Sequence, residues 1–214
     1  MRSPADTKNQ NSNITRDQIN TKIAFPIVTL ALLMITVDST IVATALHALQ
    51  HDLQTSVNWA GWTMTAYSFG FVLMLPLSAK LSVRYGHRTI FLTSVATFTI
   101  ASLLCGLSRD IYTLIGFRAL QAIGGSGITP SATGIIVNHF GRSRDRFLGL
   151  FGSIFSIGSM IGPIFGGIFV TYWTWHWIFF INIPFGLAVL LLAVRVIPKT
   201  EILEKSKEKF DFKG

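Results

Sequence analysis

Six long stretches of apolar residues, separated by short polar segments, occupy most of the chain. They cover residues 23–46, 59–79, 89–108, 111–138, 147–171 and 177–197. An α-helix rises about 1.5 Å per residue, so roughly 20 apolar residues cross a hydrocarbon core about 30 Å thick. The pattern therefore predicts an all-α membrane protein with six transmembrane helices and the lipid bilayer as its surroundings.

The two ends of the chain are polar. Residues 1–22 contain Asn, Gln, Asp, Thr and Lys with almost no apolar clustering, which predicts a disordered tail. Residues 199–214 are rich in lysine and predict a second, basic tail. The six predicted helices lie between these tails, in a single domain over residues 23–198.

The positions of Lys and Arg indicate how the helices are oriented. Sixteen of the 18 basic residues fall in the two tails, in the loops between the second and third and between the fourth and fifth apolar stretches, or, for Arg195, at the end of the sixth stretch beside the second tail. Positive residues collect on the cytoplasmic side of membrane proteins. We therefore expect both tails to be cytoplasmic. The two exceptions are Arg109, in the turn between the third and fourth stretches, and Arg118, inside the fourth.

Composition limits the possible functions further. A net charge of +8 is compatible with a nucleic-acid partner, but half of the residues are hydrophobic and the basic residues lie in short loops, so we predict none. The single cysteine, Cys105, excludes an intrachain disulfide. No phosphate-binding loop, nucleophile motif or metal-ligand spacing is present, so we expect neither an enzyme nor a bound metal or cofactor.

Two charged residues, Asp38 and Arg118, lie deep within the apolar stretches. Asp38 is about 15 residues from the cytoplasmic edge of the first helix, and Arg118 is about 7 residues from the outer edge of the fourth, so both lie at similar depth. Three interpretations are open: independent side chains, a structural ion pair, or a proton-responsive pair. Gln121 shares a helix face with Arg118 and could bind a substrate or hold the arginine in place.

The fifth stretch contains a row of glycines. Gly158, Gly162 and Gly166 are four residues apart and line one face of a helix, which allows another helix to approach very closely. Pro163 lies within this row and can kink the helix because it lacks a backbone N–H group.

Four segments together resemble the major facilitator superfamily, and specifically its fourteen-helix drug:proton antiporters. Residues 38–46 are similar to the first-helix motif, residues 80–88 to the basic loop after helix two, residues 118–125 to the fourth-helix motif, and residues 158–167 to the antiporter motif of helix five. The resemblance implies one six-helix half of such a transporter, the N-terminal half, built from 3+3 inverted repeats in the bacterial inner (plasma) membrane.

The resemblance also implies roles for particular residues. Asp38 and Arg118 would couple transport to the proton gradient, and Asp38 and Gln121 would line a cavity for a lipophilic or cationic drug. The gating loop would comprise Lys80, Arg84, Gly86 and Arg88, and the antiporter motif Gly158, Gly162, Pro163, Gly166 and Gly167. Residues 199–214 resemble the segment that leads to a further helix.

Three positions depart from the family pattern, and one of them is His47, which stands where a proline usually closes the first-helix motif. Ala79 and Val83 stand where the basic-loop motif usually has Gly and Asp, and this puts normal gating in doubt. The alternative to a proton-coupled exporter is a truncated or split membrane half that does not transport by itself and needs a second half-transporter chain.

Overall fold

The computed structural model describes the backbone of residues 4–140 and 144–197, and the side chains of residues 23–138, 140 and 145–197. Within these ranges every regular element is a helix. The helices are α1 (Pro4–Asp52), α2 (Val57–Tyr85), α3 (His87–Leu107), α4 (Ile111–His139), α5 (Arg144–Tyr172), α6 (Trp177–Phe180) and α7 (Asn182–Val196). The predicted tail at 199–214 lies outside the described residues.

Five helical stretches of the described chain are long and apolar enough to cross a membrane. They are Ile23–Asp52, Val57–Tyr85, His87–Leu107, Asp145–Tyr172 and Trp177–Val196. The remaining predicted span, residues 111–138, corresponds to α4, which is 29 residues long. Its hydropathy is lower because it carries Arg118, Gln121 and a run of small and polar residues after them.

The first helix begins earlier than the sequence pattern predicts. It starts at Pro4, so residues 4–22, for which composition predicts a disordered tail, continue α1. This segment contains no glycine, and its one proline occupies the first helical position, where the missing N–H group costs no hydrogen bond. The apolar part of the helix still begins at Ile23.

The predicted basic loop after the second span is a single residue. Helix α2 continues through Lys80 and Arg84 to Tyr85, and α3 starts at His87. A helix is ended by backbone geometry, and the only residue here with a positive φ is Gly86, at +88°. Hydropathy marks where the membrane ends and does not mark where the helix ends, so the prediction of a loop at 80–88 is wrong.

The sixth span consists of two helices. Pro184 supplies no N–H group to the carbonyl of Phe180, four residues earlier, and its ring crowds that carbonyl. The single turn of α6 accordingly ends at Phe180, and α7 begins at Asn182. Ile181, between them, keeps helical dihedral angles, with φ −58° and ψ −29°.

Helix packing places a buried layer at the middle of the bundle. Helix α4 packs along α2 and α3, α1 pairs with α5, and α7 fills the space between α1 and α3. Two apolar clusters form the core, one containing Ile35 and Phe98, and the other containing Val37 and Cys105. The buried polar residues described next lie between these clusters.

Candidate functional site

Asp38 and Arg118 form an ion pair. The Nη1 atom of Arg118 donates a hydrogen bond to Oδ2 of Asp38 over 2.7 Å, and the two side chains are 1% and 0% exposed. The sequence placed the two residues at similar depth, and in the structure they are in direct contact between α1 and α4. Breaking a buried pair by removing one partner typically costs about 3–5 kcal/mol, because the other charge is left without compensation.

Gln121 connects the two charged residues. Its Oε1 atom accepts a hydrogen bond from Nη1 of Arg118 at 2.6 Å, and its Nε2 atom donates to Oδ1 of Asp38 at 2.9 Å. Because Gln121 follows Arg118 by one helical turn, α4 presents both side chains to the same carboxylate. The amide therefore fixes the orientation of the guanidinium relative to Asp38.

Two further polar residues, which the sequence analysis did not identify, complete the network. The Nδ2 atom of Asn182 donates to Oδ1 of Asp38 at 2.7 Å. The hydroxyl of Ser102 accepts from Nε2 of Gln121 at 2.7 Å and from Nδ2 of Asn182 at 3.4 Å. The available signal for Asn182 was a lone amide in the apolar stretch 177–197. Ser102 gave no comparable signal, because small hydroxyl residues are frequent in the first five stretches, including the one that contains Ser102.

Arg118 makes its other contacts with α2 and the sixth span. Its Nε atom donates to the backbone carbonyl of Thr63 at 3.4 Å. Its guanidinium lies 4.1 Å from the ring centroid of Tyr67 and 5.7 Å from that of Phe179. A cation over an aromatic face is stabilised by the ring quadrupole, and this contribution is larger away from water. The arginine is therefore held by three helices besides its own: α1, α2 and α6.

The network is closed to the surroundings. Asp38, Gln121 and Ser102 are fully buried, and Asn182 is 2% exposed. In this conformation none of them faces an open cavity, so substrate contact by Asp38 and Gln121 requires another conformation. Asp38 is the anionic member of the network and can accept a proton, whereas a guanidinium remains charged. The arrangement can thus change its net charge by one at Asp38.

The glycine row faces α1, a partner that the sequence analysis did not name. A methyl group at Gly158 would lie 2.7 Å from Cγ2 of Thr36. Added methyl groups at Gly162 and Gly166 would meet the hydroxyls of Thr40 and Thr44. The predicted close approach is confirmed, because three glycines and three threonines, each set spaced four residues apart, interlock along the α1–α5 contact.

The other two antiporter-motif residues lie away from this contact. Gly167 has no atom within 4 Å of an added methyl group, and Pro163 is exposed. Helix α5 continues through Pro163 from Arg144 to Tyr172. The proline therefore does not end the helix.

The basic motif lies apart from the buried network. Lys80 and Arg84 are exposed on the last turns of α2. Arg88 donates through Nη2 to the carbonyl of Val194 at 2.8 Å and so joins the start of α3 to the end of α7. None of the contacts described for Lys80, Arg84, Gly86 or Arg88 is with Asp38 or Arg118.

The turn before α4 is capped by Asp110. Its Oδ1 atom accepts the backbone N–H of Thr113 at 2.9 Å, and its Oδ2 atom accepts the Thr113 hydroxyl at 2.6 Å. These hydrogen bonds favour the ionised form and lower the pKa of Asp110 from its ordinary value. The cap sets the start of α4 at Ile111, so Arg118 lies seven residues into the helix and eight residues after Asp110.

A bundle of membrane-length helices that encloses a charged, hydrogen-bonded site is typical of membrane transporters. The family model of the Major Facilitator Superfamily matches residues 28–213. The chain belongs to this superfamily and is a membrane protein.

Relatives and a solved structure agree with this assignment. The chain is 37% identical over 201 residues to Multidrug resistance protein 3 of Bacillus subtilis, covering 94% of this chain and 39% of that protein. It is 34% identical to the Tetracenomycin C resistance and export protein of Streptomyces glaucescens, covering 87% of this chain and 35% of that protein. It thus spans about two fifths of the length of these relatives.

The fold is also found in a crystal structure of a bacterial homologue of the human lysosomal transporter Spinster, in an inward-facing and unoccupied conformation. The TM-score is 0.68 at 20% sequence identity, and the match covers 91% of this chain and 47% of that chain. At this identity the likeness concerns the fold alone.

Proposed function

We propose that the chain is the N-terminal half of a proton-coupled multidrug exporter of the bacterial inner membrane, with six transmembrane helices and both termini in the cytoplasm. The observation that carries the proposal is the buried carboxylate of Asp38, which is paired with Arg118 at 2.7 Å. A buried acid that can gain and lose a proton supplies the coupling step. The names of the relatives, which include resistance and export proteins, favour a drug as the transported molecule.

Proton coupling would proceed through the ion pair. Asp38 takes up a proton from the outer side, and its negative charge is lost. Arg118 keeps its charge but no longer has an anionic partner, so the contact that ties α1 to α4 weakens. The bundle then changes conformation and the proton leaves to the cytoplasm, which restores the ion pair. The outward movement of a lipophilic or cationic drug in the same cycle makes the exchange an antiport.

Alternating access would use the internal symmetry of the half and a second half opposite it. In a 3+3 repeat, helices one, two and three correspond to helices four, five and six. The contact between α1 and α5 then corresponds to the contact between α4 and α2, and both contacts are extensive. This pairing supports a 3+3 inverted repeat. The basic motif at the end of α2 would gate the cytoplasmic side, and the glycine row would keep α5 close to α1 during the motion.

Replacement of the carboxylate tests this function. We expect Asp38→Asn to abolish drug resistance and dye efflux in bacterial cells that express the protein, with the amount in the membrane unchanged. Asp52→Asn is the matched control, because Asp52 is the same residue type on the same helix but half exposed at its end. Full resistance in Asp38→Asn cells would refute the assignment.

The second candidate is a membrane half that transports only together with another chain. The observation that favours it is coverage, since the chain spans about two fifths of the relatives named above. If this is correct, the chain alone should give no efflux, and purification from its native membrane should recover a stoichiometric second polypeptide. A chain that transports alone would exclude this candidate.

A further inference from the structure

We propose that Asn182 is a positioning residue that links the protonation state of Asp38 to the sixth span. The inference rests on the proposed function, because it assigns to Asn182 a role in the proton-coupling step. The sequence marks Asn182 only as a lone amide in an apolar stretch, and its partner Asp38 lies 144 residues earlier.

The geometry identifies Asn182 as a direct donor to the carboxylate. Its Nδ2 atom lies 2.7 Å from Oδ1 of Asp38, and the residue is 2% exposed. An ionised carboxylate can only accept hydrogen bonds, so a contact this short requires the amide nitrogen and not the amide oxygen to face it. Together with Gln121 on the same oxygen and Arg118 on the other, Asn182 completes three donors around one buried charge.

An asparagine can serve both forms of the acid. When Asp38 takes up a proton it becomes a hydrogen-bond donor and needs an acceptor. The Oε1 atom of Gln121 is already engaged by Arg118 at 2.6 Å. Rotation of the Asn182 amide by half a turn brings its carbonyl oxygen to the protonated acid, an exchange that neither an aliphatic side chain nor a cation can make. The orientation of the Asn182 amide thus follows the protonation state of Asp38.

Asn182 stands where the sixth span is interrupted. Pro184 removes the hydrogen bond to the carbonyl of Phe180, and Asn182 is the first residue of α7. Helix α7 packs against both α1 and α3. A change at the Asp38–Asn182 contact therefore acts on the first turn of α7, where Pro184 leaves one backbone hydrogen bond unmade.

The ionisable groups around Asp38 are contributed by three helices. Arg118 comes from α4, Tyr67 from α2 and Cys105 from α3, and all three are buried. The sixth span contributes the uncharged Asn182. Removing its amide changes the hydrogen bonds to Asp38 and leaves these ionisable side chains in place.

Infrared difference spectroscopy on the full chain in lipid nanodiscs measures this contribution without any need for transport. The carboxylic-acid band that is absent in Asp38→Asn reports the titration of Asp38. A hydrogen bond to the carboxylate is stronger than one to the protonated acid, so losing both still favours the protonated form. The difference corresponds to about one pH unit, and we expect Asn182→Ala to raise the titration midpoint by this amount. An unchanged or lowered midpoint overturns the inference.

Two further variants complete the test. Ser126→Ala is the control, because it removes another buried hydrogen bond between helices, the 2.9 Å contact with Ser78, away from Asp38. It should leave the midpoint unchanged. Asn182→Ser keeps a group that both donates and accepts, so its midpoint should lie between those of the wild type and Asn182→Ala. If Asn182→Ala does not fold, Asn182→Ser is measured in its place. A midpoint in Asn182→Ser equal to that of the wild type then overturns the inference.

Efflux measurements on the same variants separate this inference from the proposed function. We expect the pH profile of dye efflux in Asn182→Ala cells to move to higher pH in parallel with the midpoint. If Asp38→Asn retains efflux, the proposed function fails whatever Asn182 does. If Asp38→Asn loses efflux while Asn182→Ala matches the wild type in midpoint and profile, only the role of Asn182 fails.

Discussion

The contact between α1 and α5 gives a sharp prediction about stability, because adjacent glycines in α5 have opposite surroundings. A methyl group added at Gly166 would lie 2.8 Å from the backbone carbonyl of Ile41 and would also meet the hydroxyl of Thr44. One added at Gly167 would have no atom within 4 Å. The same substitution at these two positions therefore tests the packing and nothing else.

The magnitude follows from the kind of atoms that must move. The carbonyl of Ile41 belongs to a helix backbone and cannot rotate away. The Thr44 hydroxyl donates a hydrogen bond to that same carbonyl at 2.7 Å. Overpacking of this kind costs about 1–3 kcal/mol. Both variants gain the same helix propensity of up to about 1 kcal/mol when Gly becomes Ala, so this term cancels in the comparison. We expect Gly166→Ala to be less stable than Gly167→Ala by about 1–3 kcal/mol.

Reversible unfolding of the purified protein in mixed detergent micelles measures this difference. A difference of 1–3 kcal/mol corresponds to about a 5- to 150-fold change in the unfolding equilibrium constant at a fixed denaturant fraction. Equal stability of the two variants, or a more stable Gly166→Ala, would refute the packing of α5 on α1 through this row.

Three other perturbations have defined outcomes. Arg118→Lys should abolish efflux from dye-loaded cells. One ammonium group cannot reproduce both the planar contact with Tyr67 and the hydrogen bonds to Asp38 and Gln121. Efflux at the wild-type rate would contradict this expectation. Asp110→Ala should lower the melting temperature at neutral pH. The pKa of Asp110 is lowered in the fold, so its contribution is fully present above the ordinary value of 3.8 and is lost as the pH falls through the folded value. The melting-temperature gap should therefore narrow steadily as the pH is lowered below 3.8 and close below the folded pKa. A gap that persists there would contradict the capping argument. Ser78→Ala should leave efflux intact, because its hydrogen bond to α4 lies outside the Asp38 network.

The sequence predicted those features that depend on one residue type at one spacing. Asp38 and Arg118 stood out because charges are rare in apolar stretches, and their depths could be estimated from residue counts. The glycine row could be recognised because small residues every fourth position always share a helix face. The short turn before α4 followed from the three consecutive polar residues at 108–110.

Features that depend on distant partners could not be predicted in the same way. Nothing near Asn182 in the chain indicates that its amide meets a carboxylate 144 residues earlier. The extents of α1 and α2 were misjudged because a helix continues until a backbone feature such as Gly86 ends it, whether or not the residues are apolar. The threonine partners of the glycine row were hidden because hydroxyl residues are common in the first five apolar stretches.

The most direct test of the central claim is counter-transport by the purified full chain in liposomes. An imposed proton gradient should drive movement of a cationic dye against its concentration gradient, with protons moving in the opposite direction at a fixed ratio. Asp38→Asn should lose both movements together, while Asp52→Asn should retain both. Dye movement that persists in Asp38→Asn, or that proceeds in the wild type without proton movement, would contradict proton coupling through the Asp38–Arg118 pair.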